Sequence, residues 1–228
     1  MTARLILVRH GETEGNVVRR LDTRLPGAAL TPAGEQQARE LGAALARTPP
    51  VALVSSQALR ARQTAALIAA ATGVADRAVA GLQEVQAGDL EDRTDDAAHA
   101  VFRDTMHAWF DGDLDARIPG GESGADLLAR FLPVLADLRV RYLDPQERDL
   151  GAPRGDLVVV AHGTAIRLAA SALATLPGRF VAVNYLRNTG TVELVPVADG
   201  WKCVRWGTLT PPFPVDKVDR TAPAEPMG

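Results

Sequence analysis

Cysteine is almost missing from this 228-residue chain, where Cys203 stands alone. A single thiol excludes an internal disulfide and any multi-cysteine metal site, and it accords with a reducing compartment. Lysine is nearly as scarce: Lys202 and Lys217 are the only two, and the other 23 of the 25 basic residues are arginines. An anion site in this protein is therefore expected to be built from guanidinium groups, which grip phosphate bidentately. No apolar run approaches 18 residues, so no transmembrane helix is expected. Residues 1–8 lack the long apolar stretch and small-residue cleavage site of a signal peptide, which leads to the expectation of a cytoplasmic protein. A net charge of −3 argues against a nucleic-acid partner. With 46% hydrophobic and 23% charged residues, the composition is that of an ordinary globular protein. The length fits one α/β domain, or one domain with a sizeable insertion, and it allows a large core.

What the chain does contain is a repeated junction. The apolar run Leu5-Ile6-Leu7-Val8 leads directly into Arg9-His10-Gly11, and Leu157-Val158-Val159-Val160-Ala161 leads into His162-Gly163. A short continuous apolar run that stops at a His-Gly step reads as a buried parallel strand ending at a loop or helix start. Ligands of open α/β sheets bind just beyond the carboxyl ends of the strands. Two imidazoles are thus placed at the edge where such sheets do chemistry. The glycine after each lets backbone approach a ligand closely and leaves helix N-terminal amides facing an anion.

The remaining elements follow from pattern. Strand one covers 4–9, and a polar loop covers 10–30. Thr31-Pro32 supplies an N-cap and a proline at the first helical position, and the helix ends before Pro49-Pro50. Residues 51–55 read as a strand and 57–72 as a helix closed near Gly73. Residues 74–94 show no clear period. Residues 95–112 read as a helix. Ser123 and Asp126 form a capping box ahead of a helix with apolar residues at Leu127, Leu128, Phe131, Leu135 and Leu138. Residues 144–155 form a charged loop, 156–161 a strand and 163–176 a helix. Three segments, 181–187, 191–197 and 201–207, read as an antiparallel meander, which would offer an edge strand for a homodimer. Five prolines in residues 209–228 make an irregular tail. The expected fold is a single three-layer α/β/α domain over 1–208 with a mostly parallel central sheet. Residues 84–125 form a helical insertion over the active-site edge.

Arg60 and Arg62 lie just past the second strand. Two residues apart on a helix, they face nearly opposite ways, so at most one points toward the sheet edge. With Arg9 and the two histidines they suggest an anion site. The histidines alone are also compatible with a metal centre completed by a carboxylate, although flanking guanidinium groups would repel a metal. No metal and no cofactor are expected.

The run Leu7-Val8-Arg9-His10-Gly11-Glu12-Thr13-Glu14-Gly15-Asn16 resembles the signature of the histidine phosphatase superfamily, also called phosphoglycerate mutase-like. Four further blocks resemble that family in the same order: Ser56–Ala65, Leu82–Val85, Pro119–Ser123 and Val159–Gly163. The resemblance covers residues 5 to about 165 and selects Arg60 over Arg62. It implies a phosphomonoester hydrolase acting on a small phosphorylated metabolite, in which His10 becomes a phosphohistidine. Arg9, Arg60 and His162 would clamp the non-bridging oxygens, Asn16 and the Gly163 amide would add neutral donors, and Thr23 is a further candidate substrate contact. Glu84 would protonate the leaving alkoxide and then help deprotonate water, which requires a carboxyl group that is protonated part of the time. Glu12 and Glu14 would orient an arginine or imidazole or stand exposed. Arg19, Arg20 and Arg24 would hold a second anionic group or be solvated, and His99 and His107 would have no role. The segment Gly88-Asp89-Leu90-Glu91-Asp92 departs from the family's usual Gly-x-aromatic-Glu-Gly. Between Glu84 and Glu122 only Arg93, Arg103 and Arg117 occur, which favours phosphatase over mutase chemistry. A non-catalytic phospho-ligand domain is the remaining alternative.

Overall fold

The computed structural model describes residues 3–144 and 155–213. In chain order the elements are β1 (Leu5–Arg9), α1 (Glu14–Val17), α2 (Pro32–Leu45), β2 (Ala52–Ser56), α3 (Leu59–Thr72), β3 (Asp76–Val79) and α4 (Asp96–Phe110). They continue with α5 (Gly124–Tyr142), β4 (Leu157–Ala161), α6 (Gly163–Ala174), α7 (Gly178–Val183), β5 (Thr191–Val197) and β6 (Gly200–Trp206). One six-stranded sheet has the order β3-β2-β4-β1-β5-β6. β1 to β4 run parallel, β5 pairs antiparallel with β1, and β6 pairs antiparallel with β5.

The continuous apolar runs of β1 and β4 are explained by burial on both faces. Side chains alternate across a strand, so Leu5, Leu7, Leu157 and Val159 enter one core while Ile6, Val8, Val158 and Val160 enter the other. The smaller core is closed by Ala61, Ala65 and Ile68 of α3, backed by Leu41 and Leu45 of α2. The larger core takes the apolar faces of α4, α5 and α6, including Phe102, Phe131 and Ile166. The result is a three-layer α/β/α arrangement with β1 and β4 at its centre. Register places Arg9 opposite Ala161, so the two His-Gly steps leave the sheet side by side.

Helix boundaries obey their capping residues. The Thr31 hydroxyl accepts from Gly34 N at 3.0 Å at the start of α2. Ser123 and Asp126 complete the capping box of α5. Gly73 ends α3 in the left-handed conformation, φ 73°.

Three segments differ from the sequence reading. Residues 181–187 are not a strand: α7 occupies Gly178–Val183, and an irregular segment leads to β5. The apolar, β-branched run is held helical by tertiary contacts. Arg167 donates to the carbonyls of Val181 (2.6 Å) and Ala182 (3.0 Å), and the Phe180 ring packs on Trp206 at 5.5 Å. The meander is therefore a two-stranded hairpin continuing the main sheet. β3, which shows no apolar alternation, was not visible in the 74–94 stretch, and the short α1 lies within the loop read as 10–30. Most of the charged loop at 144–155, and the tail from 214 onward, lie outside the described residues.

Candidate active site

The carboxyl ends of β1, β2 and β4 deliver Arg9-His10, Ser56 and His162 to one point, and the first turn of α3 adds Arg60. Arg9, His10, Arg60, Glu84 and His162 are each at most 2% exposed. The imidazole centroids of His10 and His162 lie 5.3 Å apart. Arg62 is exposed, so of the two arginines only Arg60 enters the site.

The two nitrogens of His10 have separate tasks. Nδ1 lies 2.7 Å from the Gly11 carbonyl oxygen, an acceptor only, so Nδ1 carries the proton and Nε2 the lone pair. Arg60 Nε donates to that lone pair at 3.1 Å. Burial first, then the charges of Arg60 and Arg9, holds the His10 pKa well below the ordinary imidazole value. His162 is lowered in the same way, by burial and by Arg60, His10, Arg130 and Arg9. Both rings are therefore favoured in the neutral form, which leaves the Nε2 lone pair of His10 free of a proton.

The guanidinium groups are arranged for an anion. Arg9 is fully buried, its Nη1 donates to the Leu186 carbonyl at 2.7 Å, and burial brings its pKa down to about 10. Arg60 Nη1 and Nη2 are buried without a hydrogen-bond partner, as is His162 Nδ1. Asp22 stands 3.8 Å from Arg60 Nη1 and is the foremost of the charges that support its ionised form. Unpaired buried donors carry a desolvation cost, and a phosphate dianion would relieve it. Gly163 opens α6 beside Arg9: a Cβ there would stand 3.4 Å from Arg9 Nε.

Close backbone packing makes the pocket. A Cβ on Gly11 would lie 2.5 Å from Gly34 O, so only glycine lets the N-terminus of α2 close on the loop that follows β1. Gly11 N donates to Thr64 Oγ1 at 3.0 Å, and that hydroxyl donates to Arg60 O at 2.8 Å. His162 Nε2 lies 2.9 Å from Ser56 Oγ. Asn16 is buried, and its Oδ1 accepts from Thr13 N at 3.2 Å and from Asn188 Nδ2 at 3.0 Å. Asn188 Nδ2 also reaches the His10 carbonyl at 3.2 Å.

Glu84 sits at the N-terminus of α6. Its Oε1 accepts from Val85 N and Ala165 N, and its Oε2 from Thr164 N, all at 2.9 Å. Thr23 is engaged elsewhere: its hydroxyl donates to Glu91 Oε2 and accepts from Ala87 N at 3.0 Å. The departure at Gly88–Asp92 thus has a structural outcome, because Glu91 ties the 88–92 turn to the backbone of Thr23 and Arg24.

Other residues are placed as follows. Glu12 orients neither an arginine nor an imidazole; it accepts from the Thr31 hydroxyl at 2.8 Å. Glu14 is exposed on α1, and Arg24 is exposed. Arg19 pairs with Asp96 at 3.2 Å, and His99 Nε2 donates to the Arg19 carbonyl at 2.7 Å. Asn188, Asp22 and Ser56 were not assigned from sequence. The Asn188-Thr-Gly turn and the Ser56 block were visible, but nothing local marked them as neighbours of His10 and His162. Among the described residues, no three His, Cys, Asp or Glu side chains converge to hold a metal ion. No helix among them is long and apolar enough to cross a membrane.

The profile of the histidine phosphatase superfamily, branch 1, matches residues 5–209. The chain belongs to this superfamily. A glucosyl-3-phosphoglycerate phosphatase of Mycobacterium tuberculosis is 31% identical over 208 residues, spanning 89% of this chain and 91% of its own. A probable phosphoglycerate mutase GpmB of Citrobacter koseri is 34% identical over 201 residues, spanning 86% of this chain and 88% of its own. Among solved structures, a mycobacterial glucosyl-3-phosphoglycerate phosphatase complexed with VO3 superposes with a TM-score of 0.77 at 29% identity. It covers 91% of this chain and 100% of that one. The α/β fold described above is thus that of a histidine phosphatase.

Proposed function

We propose that the protein hydrolyses a phosphomonoester of a small metabolite through a phosphohistidine at His10. The observation that carries this reading is the tautomer of His10: Nδ1–H is fixed on the Gly11 carbonyl and Nε2 is directed at Arg60. In the free enzyme Arg60 occupies the nucleophilic lone pair. When a phosphate dianion enters, Arg60 transfers its donors to the non-bridging oxygens and releases Nε2 for in-line attack. The Nε2–P bond forms as the ester P–O bond breaks, and the leaving alkoxide takes its proton from the Glu84 carboxyl group. Oε2, which accepts a single amide bond, is the oxygen available for that exchange. Water then attacks phosphorus, Glu84 takes back a proton, and the P–N bond breaks. Arg9, Arg60, His162 and the Gly163 amide stabilise the charge on the phosphoryl oxygens. Asn16 holds the Asn188 bridge to the catalytic loop.

Phosphatase chemistry is favoured over mutase chemistry by the state of the insertion arginines. Arg93 pairs with Asp95, Arg103 with Asp104 and Arg117 with Asp126, so each is engaged on the surface by a carboxylate. The names of both groups of relatives contain phosphoglycerate, which makes phosphoglycerate esters the first substrates to try. The test is phosphate release from a metabolite panel that includes glucosyl-3-phosphoglycerate and 3-phosphoglycerate, with and without EDTA and orthovanadate. Release that vanadate blocks and EDTA spares is expected. Interconversion of phosphoglycerates without net phosphate release, or loss of activity in EDTA, would overturn the reading.

A further inference from the structure

The Pro119–Ser123 block has no place in the mechanism above, yet the structure gives its carboxylate a defined partner. Glu122 receives a two-pronged grip from Arg130 of α5: Nε donates to Oε1 at 2.8 Å and Nη2 to Oε2 at 2.7 Å. The same guanidinium donates to three backbone carbonyls of the loop that carries Glu84. Nη1 reaches the carbonyls of Gly81 (3.1 Å) and Gln83 (2.8 Å), and Nη2 reaches the carbonyl of Glu84 itself at 2.9 Å. Glu122 closes the loop from the other side, where its Oε2 accepts from Gln86 N at 2.9 Å and its backbone N donates to Gln86 O at 3.1 Å. Gln86 Nε2 adds a second bond to the Glu84 carbonyl, at 3.0 Å.

We infer that Arg130, oriented by Glu122, is a positioning residue that fixes the backbone of Glu84 so that its carboxyl group meets the leaving oxygen. This inference rests on Glu84 acting as the general acid. A planar fork is required because one group must satisfy a carboxylate and three carbonyls at once, which an ammonium on a flexible stem does not do. Backbone fixation matters here because the Glu84 carboxylate is shared between α6, through Thr164 N and Ala165 N, and its own loop, through Val85 N, so its place depends on where the loop holds its Cα. A proton donor displaced by about 1 Å loses a large part of its catalytic effect. The side chains of Arg130 and Glu122 are 23% and 19% exposed, so both lie outside the fully buried cluster of Arg9, His10, Arg60 and His162. The reacting atoms are met by Glu84, not by Arg130.

The test uses leaving-group dependence, which a merely structural role would not move. Nitrophenyl phosphate, whose leaving group needs little protonation, and glycerol phosphate, whose leaving group needs full protonation, are compared in wild type, Glu84→Gln, Arg130→Gln and Glu122→Gln. General-acid loss is worth roughly 10²–10⁴-fold on the demanding substrate. Arg130→Gln is expected to lower kcat/KM, which reports the step that expels the leaving group, at least about tenfold more on glycerol phosphate than on nitrophenyl phosphate. The double variant Glu84→Gln/Arg130→Gln is expected to be no slower than Glu84→Gln alone. Glu122→Gln, which keeps the packing and weakens only the fork, carries the same bias to a smaller extent and serves if Arg130→Gln does not fold. Uniform losses on both substrates in Arg130→Gln and Glu122→Gln, with the bias intact in Glu84→Gln, would overturn the positioning role. Uniform losses in Glu84→Gln would instead overturn the acid assignment on which it rests.

Discussion

Replacing the two active-site imidazoles should make the protein less sensitive to acid. His10 and His162 are completely buried, and both pKa values are held well below 6.5, first by burial and then by Arg60 and other nearby groups. A group whose folded pKa is depressed binds fewer protons in the native state than in the unfolded chain. Above pH 6.5 neither state is protonated and there is no linkage. Below it the unfolded chain takes up protons that the native site refuses, so stability falls with falling pH until the folded pKa is reached. Integrated from pH 7 to pH 5, the loss is at most about 2 kcal/mol per histidine and about 4 kcal/mol for the pair. For a chain of this size that corresponds to roughly 10 °C in Tm. His107, also lowered by burial and by Arg167, is present in both proteins and cancels. The assay is urea unfolding of wild type and His10→Gln/His162→Gln at pH 7 and pH 5, in buffer free of phosphate and sulfate. The double variant should lose less stability over this interval than wild type, by up to about 4 kcal/mol. Equal losses would show that the imidazoles are not held neutral and would remove the basis for nucleophilic attack by His10.

Two further outcomes follow from packing. Gly27 has φ +73°, and a Cβ there would lie 2.4 Å from Arg60 Nη1, so Gly27→Ala should displace the guanidinium and weaken orthovanadate binding at least about tenfold; calorimetric titration giving unchanged affinity would contradict the placement of Arg60. Phe131 is fully buried in the larger core, so Phe131→Ala should cost about 3–5 kcal/mol in urea unfolding, and a loss under about 1 kcal/mol would contradict that core assignment.

The sheet centre and both His-Gly junctions were legible because β1 and β4 are buried on both faces, and double burial leaves a continuous apolar run. Helix starts at Thr31 and Ser123 were legible because a hydroxyl cap acts within three residues. α7 was not, because Phe180-Val181-Ala182-Val183 is held helical by Arg167 and Trp206, neighbours that are remote in sequence. β3 was not, because the edge strand Asp76–Val79 is four residues long and only half-buried at its ends, with no apolar alternation to reveal it. Helical geometry could say only that Arg60 and Arg62 diverge; the family block chose Arg60, and in the structure Arg60 is buried against His10 while Arg62 is exposed. Apart from the family block at Leu82–Val85, nothing in the pattern set Glu84 apart among 28 acidic residues, since what distinguishes it physically is the α6 N-terminus some 80 positions away. Asn188 and Asp22 are of the same kind, joined to the site only by folding.

The central claim is that His10 Nε2 becomes covalently phosphorylated, and rapid acid-free quenching of wild type during turnover of radiolabelled substrate tests it directly. Label that is acid-labile and alkali-stable, mapped to the peptide containing His10 and absent from His10→Ala along with all turnover, is the predicted result. Turnover persisting in His10→Ala at half the wild-type rate, or label on any other residue, would contradict it.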